Sequence, residues 1–594
     1  MDNMKEVIAS LAAPRHTLRD VLIIIAFALV MIAPQFFTRG LWSPDEPRYM
    51  QVTREMLATG DYLVPHRNGE YYPDKPPLWF WLAAGLDRAG AGLNAGRALA
   101  ACASLGTLLL VYFLGRRLLG GSGGLVAALT AGAMLLFLAI SKIGITDPLF
   151  VMLITAALLG GWLALQGRRT WWLVVYAVCG LAVLTKGPVG IALPAFVLLA
   201  YAVLDRKRVA AGGWTHAAGA ALFAVIVAGW LVPAGISGGK DYLQDILFGQ
   251  QARYTVSGAK YSRWPTYYLM LLPLALFPWT LFAVLSLAQC VKDWRAALGS
   301  QTEGAAARAA RQGAGEALFL TCWFLGVLVF FSFIPSKRER YLLPLVPAAG
   351  LLCARYFILG LKRGFPWPVL HKAFGGVTLA LCGLLGFVTA ASPWISRYAP
   401  SSAPPKDATA QSFARALATP AGVAAAMAVG FALLLVVALA CRSLRRSAWR
   451  QVVVALLVVS LLISLTFDLF VLPAIDPIKC ERAFVERALP YINEADQTYL
   501  YDQDYEGIIN LYAGATTFPV LKADTREERE KALNDLLSGG RRVVVIGGSK
   551  ALDPILAKLP PNAHAPVRQH EGVFNFVLVC NWGEGRQSPI ADDK

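Results

Sequence analysis

The chain is short of charge. Only 16% of its 594 residues are Asp, Glu, Lys or Arg, while 56% are hydrophobic, and the mean hydropathy is +0.52. Such a balance excludes a disordered chain and makes a soluble globule of this length improbable on composition alone. Histidine is scarce: the six present are scattered, and none stands with cysteine at the spacing of a zinc site. Of the nine cysteines, Cys102, Cys179, Cys290, Cys322, Cys353, Cys382 and Cys441 lie in or at the ends of apolar runs, where they act as small apolar side chains and suggest no redox chemistry. Cys480 and Cys580 fall outside those runs, and in an oxidising compartment a disulfide between them would join the two ends of the C-terminal region. Gly547-Gly548-Ser549-Lys550 lacks the spacing of a phosphate loop and reads as a turn. No small-residue cleavage site follows the first apolar run, so that run is expected to be an uncleaved anchor rather than a signal peptide.

What the chain has instead is membrane. Apolar runs of roughly 17–25 residues recur almost throughout, each long enough to cross a bilayer. About thirteen are found, near 20–37, 96–115, 122–141, 147–166, 170–185, 187–204, 214–235, 265–290, 316–334, 341–361, 369–391, 418–441 and 450–473. The 16 Trp and 20 Tyr suit aromatic belts at the interfaces. Every second loop is basic: Lys5, Arg15 and Arg19, then Arg116-Arg117, Arg168-Arg169, Arg206-Lys207-Arg208, Lys362-Arg363 and Arg442 with Arg445-Arg446. Short basic loops stay in the cytoplasm, so the N-terminus is expected inside and, with an odd helix count, the C-terminus outside. Most of the +17 net charge is thereby topogenic and calls for no nucleic-acid partner.

From about 475 the character changes. Thr525-Arg526-Glu527-Glu528 has capping-box spacing and opens a helix through Leu537 that Gly539-Gly540 stops. Val543 to Ile546 and Val573 to Val579 are β-branched runs of strand length, so a small α/β domain over 475–594 is expected outside a transmembrane domain over 1–474.

The chemistry gathers on the outward face. Trp42-Ser43-Pro44-Asp45-Glu46-Pro47-Arg48-Tyr49 follows directly on the first apolar run, and ionisable groups at the edge of hydrocarbon are costly enough to mark a candidate site. Pro47 to Gly60 and Pro76 to Leu93 read as two helices lying in the interface. Between them, Tyr71-Tyr72-Pro73-Asp74-Lys75-Pro76-Pro77 holds a lysine among aromatics and prolines, a corner suited to phosphate. Thr146-Asp147-Pro148, Thr185-Lys186-Gly187-Pro188, Arg253-Tyr254 and Ser336-Lys337-Arg338-Glu339-Arg340-Tyr341 recur on the same face. Basic residues there run against the topogenic bias and imply an anionic ligand, for which a lipid-borne phosphate fits best.

A phosphate-linked sugar on a lipid keeps its reactive bond at headgroup height. Cations there, Arg48, Lys75 and Lys337 or Arg340, would neutralise the leaving lipid phosphate. Asp45 would be the general base toward a hydroxyl acceptor, or would orient the acceptor or contact the sugar if the acceptor were an already ionised phosphate. The first alternative is a glycosyltransferase that moves another polyprenyl-phosphate-linked sugar onto a protein or glycan acceptor; a lipid-linked-sugar transporter is the second, but it should show paired repeats and polar groups at the midplane, and neither is evident. A membrane receptor or assembly factor would leave the outward charges without a role.

These elements together resemble the C-type glycosyltransferases of the protein O-mannosyltransferase superfamily: the acidic pair after the first helix, the interface helices, Thr-Asp-Pro, Thr-Lys-Gly-Pro and Ser336 to Pro344. Within that group the chain is most similar to the bacterial aminoarabinose transferases of lipid A. The resemblance implies a polytopic α-helical fold of about thirteen transmembrane helices with a small periplasmic α/β domain, in the bacterial inner membrane. It also implies an undecaprenyl-phosphate-linked 4-amino-4-deoxy-L-arabinose donor, a lipid A phosphate acceptor on the periplasmic side, resistance to cationic peptides such as polymyxin, and a monomer. Position by position it makes Asp45 the catalytic carboxylate with Glu46 beside it and Asp147 the second acid of the sugar site. Arg48, Lys75, Tyr72, Lys186, Arg253, Lys337, Arg340 and Tyr341 become carrier-phosphate or substrate ligands. No cofactor is required by the sequence, although Asp45 and Asp147 offer a place for a shared divalent metal.

Overall fold

A computed structural model describes residues 14–36, 38–205, 213–249, 262–299, 305–398, 419–569 and 574–582. Each of the apolar runs contains helix. Eight helices are long and apolar enough to cross a membrane among the described residues, and nine if one sharply bent pair is a single span, which makes the protein a multi-pass membrane protein. Of the remaining runs, those over 122–141, 170–185, 187–204 and 265–290 are short or broken, and the helix of the first, Pro14–Ile32, is 19 residues long but carries Arg15, Arg19 and Asp20. Tyr267–Ala275 and Thr280–Gly299 meet at 113°, where Pro278 has no amide hydrogen to continue the helical ladder. The run over 122–141 is likewise split, between Gly121–Gly132 and Leu135–Ile140.

Helices close to one another pack through small residues. A Cβ on Gly124 would lie 2.5 Å from the Tyr112 carbonyl, and one on Gly350 2.6 Å from the Ala131 side chain, so the backbones there approach as only glycine allows. The most buried span is Glu339–Arg363, around which Ala95–Leu119, Gly121–Gly132, Thr280–Gly299 and Ala305–Phe333 gather.

Between the first helix, Pro14–Ile32, and Ala95–Leu119 the chain forms two short helices, Asp45–Thr59 and Leu78–Leu86, joined through a small hairpin of β1 (His66–Arg67) and β2 (Glu70–Tyr71). Asp45 and Glu46 occupy the first turn of Asp45–Thr59, where the helix dipole favours anions, and Gly60 ends it with a left-handed φ of 75°.

The C-terminal region carries a five-stranded sheet in the order β4-β3-β5-β7-β6, from Val520–Leu521, Gln497–Tyr501, Val543–Gly548, Phe576–Cys580 and His564–Arg568. β3 pairs in parallel with β4 and β5, whereas β7 is antiparallel to both its neighbours. The capping box expected at Thr525 forms on helix Arg526–Ser538. Gly547 and Gly548 end β5 before a single helical turn, Ser549–Leu552. The disulfide left open between Cys480 and Cys580 does not form. Cys480 and Cys580 are both free thiols: Cys480 packs at Gly40 and reaches the Tyr512 hydroxyl, while Cys580 lies on β7 beside His564. No bridge joins the two ends.

This sheet domain is docked on the first loop through polar bonds. Gly40 and the Trp42 indole donate to Asp476, Leu41 donates to the Tyr512 hydroxyl, and the Ser43 hydroxyl to Glu481. Farther out, Gln51 donates to the Thr516 carbonyl and Asn68 to that of Phe518.

Candidate active site at the membrane edge

Adjacent acids at the start of helix Asp45–Thr59 meet opposite surroundings. Glu46 turns inward and is 1% exposed. Its carboxylate takes both Arg39 nitrogens at 2.9 and 3.1 Å, Arg97 Nε at 3.1 Å, and the backbone amides of Trp42 and Gly144 at 2.8 Å each. Burial alone would raise its pKa, but Arg39 and Arg97 overcome that and hold it at about 2. A carboxylate so fully bonded has no free lone pair for a substrate. Its expected place among the catalytic acids is therefore corrected: Glu46 ties the 39–46 turn to helix Ala95–Leu119 and to the 142–145 turn.

Asp45 faces the other way and keeps some exposure. Its Oδ2 receives Arg340 Nη1 at 2.7 Å, with Arg338 at 3.8 Å, and its Oδ1 lies 3.9 Å from Arg48. Against the effect of burial, which favours the neutral form, Arg340, Arg48 and Arg338 keep its carboxyl below the ordinary carboxylate value. Arg340 continues to a second acid: its Nε is 3.5 Å from Asp147 Oδ2, while Asp147 Oδ1 accepts from Lys186 at 2.6 Å. Asp45, Arg340, Asp147 and Lys186 thus form one alternating row of charge, drawn from four separate stretches of chain.

Aromatics and one further lysine border the row. The Lys186 ammonium lies 4.9 Å from the Tyr341 ring centre and 5.1 Å from that of Phe150, and Tyr341 stacks on Phe331. Tyr72 is buried against Phe80 beside Arg48, with the Arg67 guanidinium 5.4 Å above its ring. Lys75, on the loop before helix Leu78–Leu86, sits within electrostatic reach of Lys186, Asp74, Asp147 and Arg340; burial and the neighbouring cations push it down to about 8.

Ten of the eleven sequence-derived site residues are described, and eight of those ten gather at this row: Asp45, Arg48, Tyr72, Lys75, Asp147, Lys186, Arg340 and Tyr341. Glu46 lies behind it, as above. Lys337 is also not brought in by any charge contact: its ammonium donates to the Ile334 carbonyl at 2.7 Å, just past the end of helix Ala305–Phe333, so it serves that helix end. Arg253 lies outside the described residues. Arg338 and Glu506 were missed. Arg338 sits inside the Ser336–Tyr341 motif and had a signal in its charge. Glu506, which meets Arg48 at 2.6 Å, comes from the C-terminal domain and had none. As for a metal, the Arg340 guanidinium stands between the two aspartates, and among the described residues no three His, Cys, Asp or Glu side chains are grouped to hold an ion.

Known proteins share parts of this sequence and its fold. Residues 74–232 match the family model described as dolichyl-phosphate-mannose-protein mannosyltransferase. Among curated relatives, the undecaprenyl phosphate-alpha-4-amino-4-deoxy-L-arabinose arabinosyl transferase of Edwardsiella ictaluri is 29% identical over 340 residues, 56% of this chain and 58% of that protein. Its namesake numbered 2 in Pseudomonas fluorescens is 31% identical over 56% of this chain and 55% of that protein. The chain therefore matches a little over half the length of these relatives. Among solved structures, ArnT from Cupriavidus metallidurans bound to undecaprenyl phosphate superposes with a TM-score of 0.71 at 20% identity, covering 96% of this chain and 99% of that one. The oligosaccharyltransferase of Archaeoglobus fulgidus gives 0.51 at 12% identity over 90% of this chain and 69% of that one, which speaks to fold alone. Taken together, the chain shares the fold of these membrane glycosyltransferases, matches the mannosyltransferase model over residues 74–232, and is similar over a little more than half its length to aminoarabinose transferases.

Proposed function

We propose that the protein transfers 4-amino-4-deoxy-L-arabinose from an undecaprenyl-phosphate carrier to a phosphate of lipid A, on the periplasmic side of the bacterial inner membrane, and so confers resistance to polymyxin and other cationic peptides. The N-terminus is then cytoplasmic and the sheet domain periplasmic. The observation that carries this reading is the row Asp45–Arg340–Asp147–Lys186, with Lys75 and Arg48 beside it, at the end of apolar helices.

In the reaction the bond between the sugar C1 and the carrier phosphate breaks as an acceptor oxygen attacks C1. Negative charge grows on the carrier phosphate, and Lys75 and Arg48 are the cations to receive it. Asp45 is a poor general base, because three arginines hold its pKa low. That favours an acceptor already ionised at neutral pH, which a phosphate monoester is and a sugar hydroxyl is not. Asp45 and Asp147 then bind the sugar, whose 4-ammonium is a fitting partner for either carboxylate.

The test is expression in Gram-negative cells that lack their own lipid A aminoarabinose transferase but make the donor, followed by mass spectrometry of lipid A. An added aminopentose, absent with Asp45→Asn, is the expected result. Unmodified lipid A with the protein present in the membrane would overturn the donor–acceptor assignment.

A further inference from the structure

The active-site row is not built by the membrane domain alone. A turn of the C-terminal domain, Tyr505–Gly507, presses on the N-terminal half of helix Asp45–Thr59: a Cβ on Gly507 would lie 2.5 Å from the Gln51 side chain. Glu506 at the centre of that turn meets two arginines of the first outward loop through one oxygen, Arg48 Nε and Arg67 Nη1, each 2.6 Å from Oε2. Arg67 is held in turn by Asp504 and covers the Tyr72 ring.

The turn is unusual in its backbone. Tyr505, Glu506 and Gly507 all have left-handed φ, at 47°, 61° and 73°, and two of the three carry a Cβ that disfavours it. Tyr505 secures the conformation. Its ring is buried against Phe574 and Phe576, and its hydroxyl donates to the Tyr501 carbonyl at 2.6 Å and accepts from the Gly548 amide at 2.7 Å. Backbone in a sparsely populated region persists only where its surroundings fix it, and here they fix the aim of one carboxylate.

Arg48 therefore has two anions in reach, Glu506 at 2.6 Å and Asp45 at 3.9 Å. Without Glu506 the nearer attraction is gone, and the guanidinium would close the gap to Asp45, satisfying itself on the catalytic carboxylate. We infer that Glu506 is a positioning residue for sugar transfer: it holds Arg48 beside Asp45 but apart from it, so that the guanidinium stays available to the carrier phosphate. The inference rests on the reading of Arg48 as a carrier-phosphate ligand.

The test uses the full chain in lipid nanodiscs with undecaprenyl-phosphate aminoarabinose and lipid A, and reads the KM of donor and acceptor separately. Glu506→Ala is expected to raise the donor KM about five- to tenfold and leave the acceptor KM unmoved, and Glu506→Gln to give a smaller rise. In an Arg48→Ala background, Glu506→Ala is expected to add nothing, since it acts through Arg48. Lys522→Ala breaks a different contact between the same two regions, the exposed Lys522–Glu70 pair, and is expected to leave both constants unchanged. A merely structural role would lower the amount of active protein without moving either KM. A donor KM equal to wild type in both Glu506 variants, or additive losses in the double variant, would overturn the inference; if Glu506→Ala does not fold, Glu506→Gln decides alone. Titration with undecaprenyl phosphate repeats the comparison without chemistry. A wild-type protein that binds the carrier but transfers no sugar would sink the proposed function, and equal carrier binding by wild type and Glu506→Gln would then sink the role of Glu506.

Discussion

Glu46 and Asp45 are neighbours in sequence with the same charge and with arginines around both, yet one belongs to the scaffold and the other to the site. Around Glu46 every contact closes: Arg39 and Arg97 go on to the carbonyls of Lys142, Arg39 and Gly40, and all three side chains are 1–2% exposed. Around Asp45 the contacts are looser, with two of three arginines beyond 3.5 Å and side chains 15–27% exposed. A cluster whose hydrogen-bonding capacity is exhausted can only hold chain segments together. One with spare donors, beside a lysine whose ammonium is destabilised, has capacity left for a ligand.

The largest effect is expected from breaking the closed cluster. Glu46→Ala strands Arg39 and Arg97 as buried unpaired cations, and the loss of one partner from such a group costs about 3–5 kcal/mol. Purified protein should melt far below wild type, or fail to accumulate in the membrane. Wild-type melting would mean the Glu46 cluster does not hold the fold, and the contrast with Asp45 would collapse.

Next comes the open cluster, where the loss should fall on turnover instead. Asp45→Asn keeps the shape and a hydrogen-bond acceptor for Arg340 while removing the charge. Because the sugar loses a carboxylate that orients it, we expect transfer to drop at least about 100-fold with the melting temperature little changed, measured on the same preparation. Two variants one residue apart, one lost in stability and one in chemistry, would establish the division directly; equal behaviour would erase it.

A third effect is graded by pH. Lys75 has a pKa near 8 because burial, then Lys186 and Arg340, disfavour its ammonium, partly opposed by Asp74 and Asp147. Lowered below the ordinary lysine value, the group is charged below about pH 8 and neutral above it. Carrier phosphate needs the charged form, so kcat/KM for the donor should be level on the acid side of 8 and fall about tenfold per pH unit beyond it. Lys75→Arg stays protonated throughout, and whatever activity it retains should lack that alkaline limb. A limb that survives in Lys75→Arg would assign it to another group.

The membrane helices were legible because hydrocarbon demands long apolar runs, and each run contains helix; the breaks within them were less so, since they depend on which proline meets which neighbour. The site was legible wherever charge opposed the topological bias, which located Lys75, Asp147, Lys186 and Arg340. That rule carries sign and side but no direction. It therefore put Glu46 with Asp45, although successive residues on a helix point about 100° apart, and it included Lys337, whose ammonium turns to a helix end. Glu506 was invisible for a different reason. Its role depends on a turn of the C-terminal domain coming to rest on a helix formed by residues 45–59, and no local pattern in either segment announces the meeting.

The smallest effect sharpens the comparison most. Lys522 meets Glu70 at 2.6 Å, closer than any of the nitrogens around Glu46, but the two side chains are 54% and 71% exposed. Water and salt screen such a pair, and its removal should shift stability by less than about 0.5 kcal/mol. Lys522→Ala should therefore melt with wild type, in low salt and high. If it destabilised the protein as Glu46→Ala is expected to, separation rather than burial would be setting the strength of these contacts, and the closed and open clusters could no longer be told apart by their exposure.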